Sequence, residues 1–510
     1  MENNLIIING RCLTMDENKE ADWIATEDGK IAATGRGDGY KAFLHENTQL
    51  VDAKGRTVLP GFIDNHFHLV KGAIFSSFIN VSEARNFDEI GEILREGRKK
   101  SGEDYSPEYP LMAFGVEPEK LKEGRYPNRE DLDRFISDVP MVLYTPDYHI
   151  MMLNTCAILT FQIPYMLQGV SMDEKGIPDG IFSKLAAARL EEHILKKYQQ
   201  KAIIKKINDF VPDILSNGIT TVTAMEGSNY ITGFEKEREA ELVLKIAGDI
   251  PLSTELFYQT TDVNLVKEKG LKRFGGALYL DGTLGSWTAV NSFPYADKKE
   301  QKPGLFIKQE YIDKLVEKSC ENELQLSFDA IGDMAVEAAI SAFEKCKERF
   351  DVKKLRPRIE HCELIRDDQM ERAAELGIIV SAQPGYEGKW GGEGGMYAER
   401  LGENYKKTNP FREMKDRGIV LCGGSDYNIN PLNPMVGVYH AMNHPVKEHS
   451  LTLEEALRMY TIDGAFALGM EKERGSLTPG KKGDIVILNN STAVMTIREG
   501  EIMYDGTKDA

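Results

Sequence analysis

Leu59-Pro60-Gly61-Phe62-Ile63-Asp64-Asn65-His66-Phe67-His68 is an apolar strand that ends in a His-x-His pair. In a β-strand, residues two apart project to the same face, so His66 and His68 present two imidazoles side by side. This is how a metal site begins, although two alternating histidines are also found as ordinary, partly buried side chains. The strand's surroundings decide between the two.

Downstream, short apolar runs alternate with helical stretches. The runs are Ile219-Ala224, Leu252-Tyr258, Ala277-Leu280, Leu324-Phe328, Arg358-Ile359, Ile378-Ala382 and Ile419-Leu421. A helix from Lys184 to Asn217 stops at Gly218, and one opened by Asp367 ends before Gly377. Thr452-Leu453-Glu454-Glu455 is a capping box that opens a helix to about Leu468. With Phe62-Asp64 as the first strand there are eight β/α repeats, which predict an α/β fold, a (β/α)8 TIM-like barrel with its active site at the C-terminal strand ends.

The two ends of the chain read differently. Residues 1–56 and 475–510 are short strands and tight turns, such as Leu5-Ile8, Trp23-Thr26 and Asp484-Leu488. Neither end has enough apolar surface to stand alone, so they are expected to pair into one discontinuous small β-sandwich domain. The barrel then takes 57–69 plus 217–474. The stretch 70–216 is too long for one connection and reads as a subdomain inserted after the first barrel strand, over the barrel mouth. Pro384 to Pro410 contains Gly391-Gly392-Glu393-Gly394-Gly395, which suits a mobile lid or a solvated loop equally.

A chain of 510 residues, 41% hydrophobic and 28% charged, describes a globular protein with more than one structural unit. A formal net charge of -18 argues against nucleic acid as a partner. No apolar run approaches the about 20 residues needed to cross a bilayer, and the start lacks signal-peptide features. Six scattered cysteines without a Cys-x-x-Cys read as reduced thiols, so the expected location is cytoplasmic. Cys362, beside His361, is a candidate ligand or nucleophile as well as a buried bystander. The expected partner is a small-molecule substrate, with no membrane, and a homo-oligomer is left open.

The strand ends are unusually polar. They carry His66 and His68, then Glu226, Asp281 (which starts a turn), Asp329, Glu360-His361 and Gly423-Gly424-Ser425-Asp426. Several imidazoles and carboxylates on one rim suit a divalent metal, zinc first, with manganese, iron or cobalt as alternatives. Asp426, on the last strand, is the candidate general base for a water beside that metal. His361 would bind a second metal or polarise a substrate carbonyl.

The stretch Val51 to His68 resembles the opening of the amidohydrolase superfamily, and Gly475-Ser476-Leu477-Thr478-Pro479-Gly480-Lys481-Lys482-Gly483-Asp484 resembles its closing signature. Leu280-Asp281-Gly282-Thr283, Ala330-Ile331-Gly332-Asp333, Ile359-Glu360-His361-Cys362, Ala382-Gln383-Pro384 and Gly424-Ser425-Asp426 are similar to the amidohydrolase-3 subgroup of N-substituted formamide deformylases and exoenzyme-regulator-like proteins. The resemblance implies metal-dependent hydrolysis of amide or other C–N bonds, with His66, His68, His361 and Asp426 as metal and catalytic residues. Two positions depart from it. Ala277 stands where relatives carry a metal-bridging lysine, and Asp329 where they carry histidine.

Glu226 is therefore either a carboxylate substitute for the bridge or a plain turn acid, and Asp329 is a harder, charged ligand. The preferred state is one metal on His66, His68 and Asp426, helped by Asp329 or Glu226, with a two-metal site bridged by Glu226 second. Asp281, His149 and Trp287 are the candidate substrate contacts, and a lone histidine such as His149 is as readily structural. His440, His444 and His449 receive no role. The expected activity is hydrolysis of an amide, formamide or cyclic amide. Deamination in the same barrel and a catalytically silent regulatory protein are the alternatives.

Overall fold

The structure, a computed structural model, describes residues 4–508 except 18, 103–104, 108, 146–149, 163, 198–199 and 228–236. Eight parallel strands follow one another around a single sheet in chain order. They are β1 (Phe62–Phe67), β2 (Ile219–Gly227), β3 (Ser253–Gln259), β4 (Arg273–Phe274), β5 (Gln325–Ala330), β6 (Arg358–His361), β7 (Ile379–Ala382) and β8 (Val420–Gly423). β2 is buried at all nine positions, as expected for a parallel strand covered on both faces.

The sheet closes on itself beyond β8. The N–H of Asp426 donates to His66 O at 2.9 Å, and Phe67 bridges Tyr427 in parallel. Asp64 Oδ1 fastens the same seam by accepting from the N–H groups of His66 at 3.2 Å and Ser425 at 3.0 Å. Gly424 permits the approach, since a Cβ there would lie 2.5 Å from His66 N. The chain is thus a TIM-like barrel.

The fourth strand differs from the expected Ala277-Leu280. Pairing occurs earlier, at Arg273–Phe274, and then breaks at Gly275 and Gly276, whose φ values are 95° and 75°. A Cβ on Gly275 would lie 2.1 Å from Ser327 O, so β5 leaves room only for glycine. Tyr279 regains β5 through a single bridge to Asp329. Helix is present at Lys184–Lys197 and Gln200–Ser216, within the expected stretch Lys184 to Asn217. The helix expected from Thr452 to about Leu468 is instead two shorter pieces, Leu453–Met459 and Ile462–Ala467. The Thr452 capping box is present.

The chain divides into two compact units, residues 1–72 with 210–510, and 73–209. In the first, the barrel is accompanied by two sheets drawn from the chain ends. Ile485–Asn489 pairs antiparallel with Thr57–Pro60, so the C-terminal strands complete a sheet begun near the N-terminus. Leu5, Ile7 and Ile24 of one sheet share a buried cluster with Val58, Ile485, Ile487 and Ile497 of the other. The second unit has its own six-stranded sheet and its own core around Ile90, Leu94, Leu111, Leu132 and Met141.

Candidate metal centre

β1 delivers His66 and His68, and the turn after β8 delivers Asp426. His68 Nε2 lies 3.2 Å and His66 Nε2 3.6 Å from Asp426 Oδ1. Among the described residues these three side chains form the group able to hold a metal ion, with their donor atoms all within 4.8 Å of one another.

Both imidazoles are oriented from behind. His68 Nδ1 meets Met225 O at 3.1 Å, and because a carbonyl can only accept, Nδ1 carries the proton. His66 Nδ1 meets Glu360 Oε2 at 2.9 Å. Each ring therefore turns an unprotonated Nε2 toward Asp426, the tautomer a metal ligand needs. Burial opposes the charge on Glu360, but Arg358 and His66 outweigh it and hold its carboxyl down at about 2. Arg358 grips Glu360 with two hydrogen bonds of 3.0 and 2.9 Å and donates to Asn65 O at 2.8 Å. Ser327 also donates to Glu360.

His361 comes up beside His66 by breaking the strand's alternation. Its φ of 66° and that of Cys362, 54°, lie in the left-handed region, which costs about 1 kcal/mol each. Glu360 and His361, adjacent in sequence, can then both approach His66, whose ring centre is 4.9 Å from that of His361. Burial works against a charged His361, yet Asp329 at 3.1 Å outweighs it and pushes the imidazole up to about 10. Asp426 also has a left-handed φ, 49°. Burial opposes its charge, but the neighbouring imidazoles of His68, His66 and His361 hold its carboxyl well below the usual range. The hydroxyl of Tyr386 donates to its other oxygen, Oδ2.

The donor set fits a divalent cation. Two imidazole nitrogens with fixed tautomers and one ionised carboxylate converge.

The other expected residues are placed elsewhere. Glu226 Oε1 accepts from Val70 N at 2.9 Å, so this carboxylate serves the N-terminus of helix Leu69–Ser76 and stands outside the three-residue group. Asp329 and His361 also stand outside it, paired with each other. Ala277 belongs to an apolar cluster with Ile63, Met225 and Phe257. Asp281, expected as a substrate contact, clasps two loops. It is fully buried and accepts from the N–H groups of Val290, Ile331 and Gly332 at 2.8 to 2.9 Å. Trp287 has its indole N–H on Asp297 at 3.0 Å and the Arg400 guanidinium 4.0 Å over its ring. His149 lies outside the described residues. Cys362 is buried, and burial pushes its thiol well above the ordinary range, which suits the bystander.

Sequence reading gave no role to Glu360, Arg358, Asp64 or Tyr386. The first two carry a signal, since opposite charges two apart in an apolar strand share one interior face. Asp64 stands two before His66 by the same rule. Tyr386 carries none. The glycine-rich segment that contains it folds into helices Gly385–Trp390 and Met396–Leu401, with Tyr386 and Tyr397 buried.

The amidohydrolase family matches residues 49–507. The putative amidohydrolase YtcJ of Bacillus subtilis (strain 168) is 24% identical over 96% of this chain and 97% of its own. N-substituted formamide deformylase of Arthrobacter pascens is 25% identical over 95% of this chain and 93% of its own. An uncharacterized metal-dependent hydrolase from Pyrococcus furiosus superimposes with a TM-score of 0.78 at 25% identity, covering 95% of this chain and 98% of that one.

Proposed function

The chain belongs to the amidohydrolase family and is in that broad sense a metal-dependent hydrolase, and from that premise we propose that it hydrolyses an amide, formamide or cyclic amide C–N bond of a small molecule. The observation that carries this reading is the convergence of His66 Nε2, His68 Nε2 and Asp426 Oδ1. These residues would hold one divalent cation, and zinc suits two nitrogens and a carboxylate oxygen. Such an ion, when bound, supplies electrophilic polarisation and lowers the pKa of water toward neutrality.

The chain's own groups account for the rest. Asp426 accepts the proton that leaves the attacking water and passes it to the departing nitrogen, at Oδ2. His361 faces Asp329 through Nε2, and its Nδ1 is buried without a hydrogen bond among the described residues. A proton held at Nδ1 is available to a substrate carbonyl oxygen as charge develops there. Ala277 supplies no bridging group, and the engagements of Glu226 and Asp329 favour one metal over two.

Metal analysis of protein purified without added metal tests the reading. It should find about one divalent cation per chain, a stoichiometry this donor set sets. Near-zero metal with none taken up on addition would sink the enzyme and favour a silent binding protein, and two per chain would restore a bridged site. Against a panel of formamides and cyclic amides, Asp426→Asn should lose about 10²–10⁴-fold in turnover. Full activity in that variant would remove Asp426 as the base, and ammonia release from amino-substituted heterocycles alone would point to deamination.

A further inference from the structure

Asp426 uses its two oxygens differently. Oδ1 faces His66 and His68, whereas Oδ2 accepts the hydroxyl of Tyr386. Tyr386 is in the first turn of helix Gly385–Trp390, which begins just beyond β7. Its ring lies 5.9 Å from that of His361 and within 17° of parallel to it, and Trp390 packs against it at 4.5 Å. The residue is only 5% exposed. With both rings in place, the phenol is held over the carboxylate by its neighbours.

The backbone at Asp426 leaves the carboxylate orientation undecided. Its N–H bond to His66 O fixes the main chain, but rotation about the side chain would let either oxygen, or both, turn toward His66 and His68. A phenol donating to an ionised oxygen makes a charge-assisted bond. Turning both oxygens toward the imidazoles would break that bond and strand a buried hydroxyl, which carries the full desolvation penalty. One oxygen toward the imidazoles and the other on the phenol is the arrangement that satisfies both partners.

We propose that Tyr386 is a positioning residue that keeps Asp426 a one-oxygen metal ligand and reserves Oδ2 as the proton acceptor. The proposal rests on the metal reading above. Oδ2 keeps a second lone pair while it accepts from the phenol, so it can take a proton without leaving Tyr386. The carboxylate that shares in holding the ion is thereby also the base, one oxygen for each task.

Cobalt(II) added to the chelator-stripped full-length protein provides the test. Tyr386→Phe keeps the ring against His361 and Trp390 and removes the hydroxyl. The cobalt visible spectrum of this variant should differ from wild type in band shape and intensity, because Oδ2 is released to join the coordination. Its cobalt affinity should fall about 10–100-fold, the usual cost of losing a group that orients a ligand. Circular dichroism of the metal-free variant should match wild type, with the unfolding midpoint lowered by no more than the loss of one hydrogen bond to a carboxylate, and Tyr386→Leu should show the same spectral change with a still lower midpoint. An unchanged cobalt spectrum in Tyr386→Phe overturns the proposal while the metal reading stands. Wild type that takes up no cobalt overturns both.

Discussion

Arg358 and Glu360 form a fully buried ion pair two residues apart on β6, and the carboxylate also orients His66. Two charges in an apolar interior are costly to bring out of water, and their mutual bonds with Asn65 O and Ser327 offset that cost. Removing one partner leaves the other uncompensated. Glu360→Gln should therefore destabilise the protein by about 3 kcal/mol and weaken metal binding about 10–100-fold. Urea unfolding and a metal-competition titration check the two effects, and a variant with wild-type stability would show that Arg358 finds another anion. At this scale His66, His68 and Asp426 were legible because each ends an apolar run in a recognisable pattern. The use of Glu226 was not, because whether a buried acid meets a metal or a helix N-terminus depends on the element packed beside it. Tyr386 was hidden for a related reason, since a tyrosine in a glycine-rich stretch gives no sign of which carboxylate it will reach.

Among the elements, seven of the barrel strands followed their apolar runs, whereas β4 was displaced because the close approach of Ser327 O admits only Gly275. The loops that follow β4 and β5 are held by Asp281, whose oxygens are used on three backbone N–H groups. Burial pushes its carboxyl up to about 7 against the pull of those amides. Between the unfolded value of about 4 and that folded value, the folded state retains the proton and the unfolded state does not. The stability this group contributes is therefore fully present below about pH 4 and is lost as pH rises toward 7, by up to about 1.4 kcal/mol per unit. Asp281→Asn abolishes the titration and turns an amide N–H2 toward backbone donors, at about 1–3 kcal/mol for a stranded group. Urea midpoints at pH 5 and pH 8 should show a larger deficit for the variant at pH 5. Equal deficits would mean that the carboxyl is ionised at both.

For the molecule as a whole, the candidate ligands come from the C-terminal ends of the first and last barrel strands and the residues just beyond them, 66, 68 and 426. A cation held by them would clamp the seam that Asp64, Gly424 and the Asp426 N–H already close. Such an ion binds the folded chain and finds no assembled site in the unfolded one, so it should stabilise by about 2.7 kcal/mol at a hundred times its dissociation constant. The effect should be selective, because the unit of residues 73–209 has a separate core and contributes none of the three ligands. If the two units unfold in separate steps, only the step belonging to residues 1–72 and 210–510 should move upward on adding zinc and return on chelation. His68→Ala should abolish the shift while leaving the other step in place. Calorimetry of the chelator-stripped protein, with and without zinc, reads both steps in one scan. A shift of equal size in the His68→Ala protein would show that the stabilising ion binds away from the barrel seam.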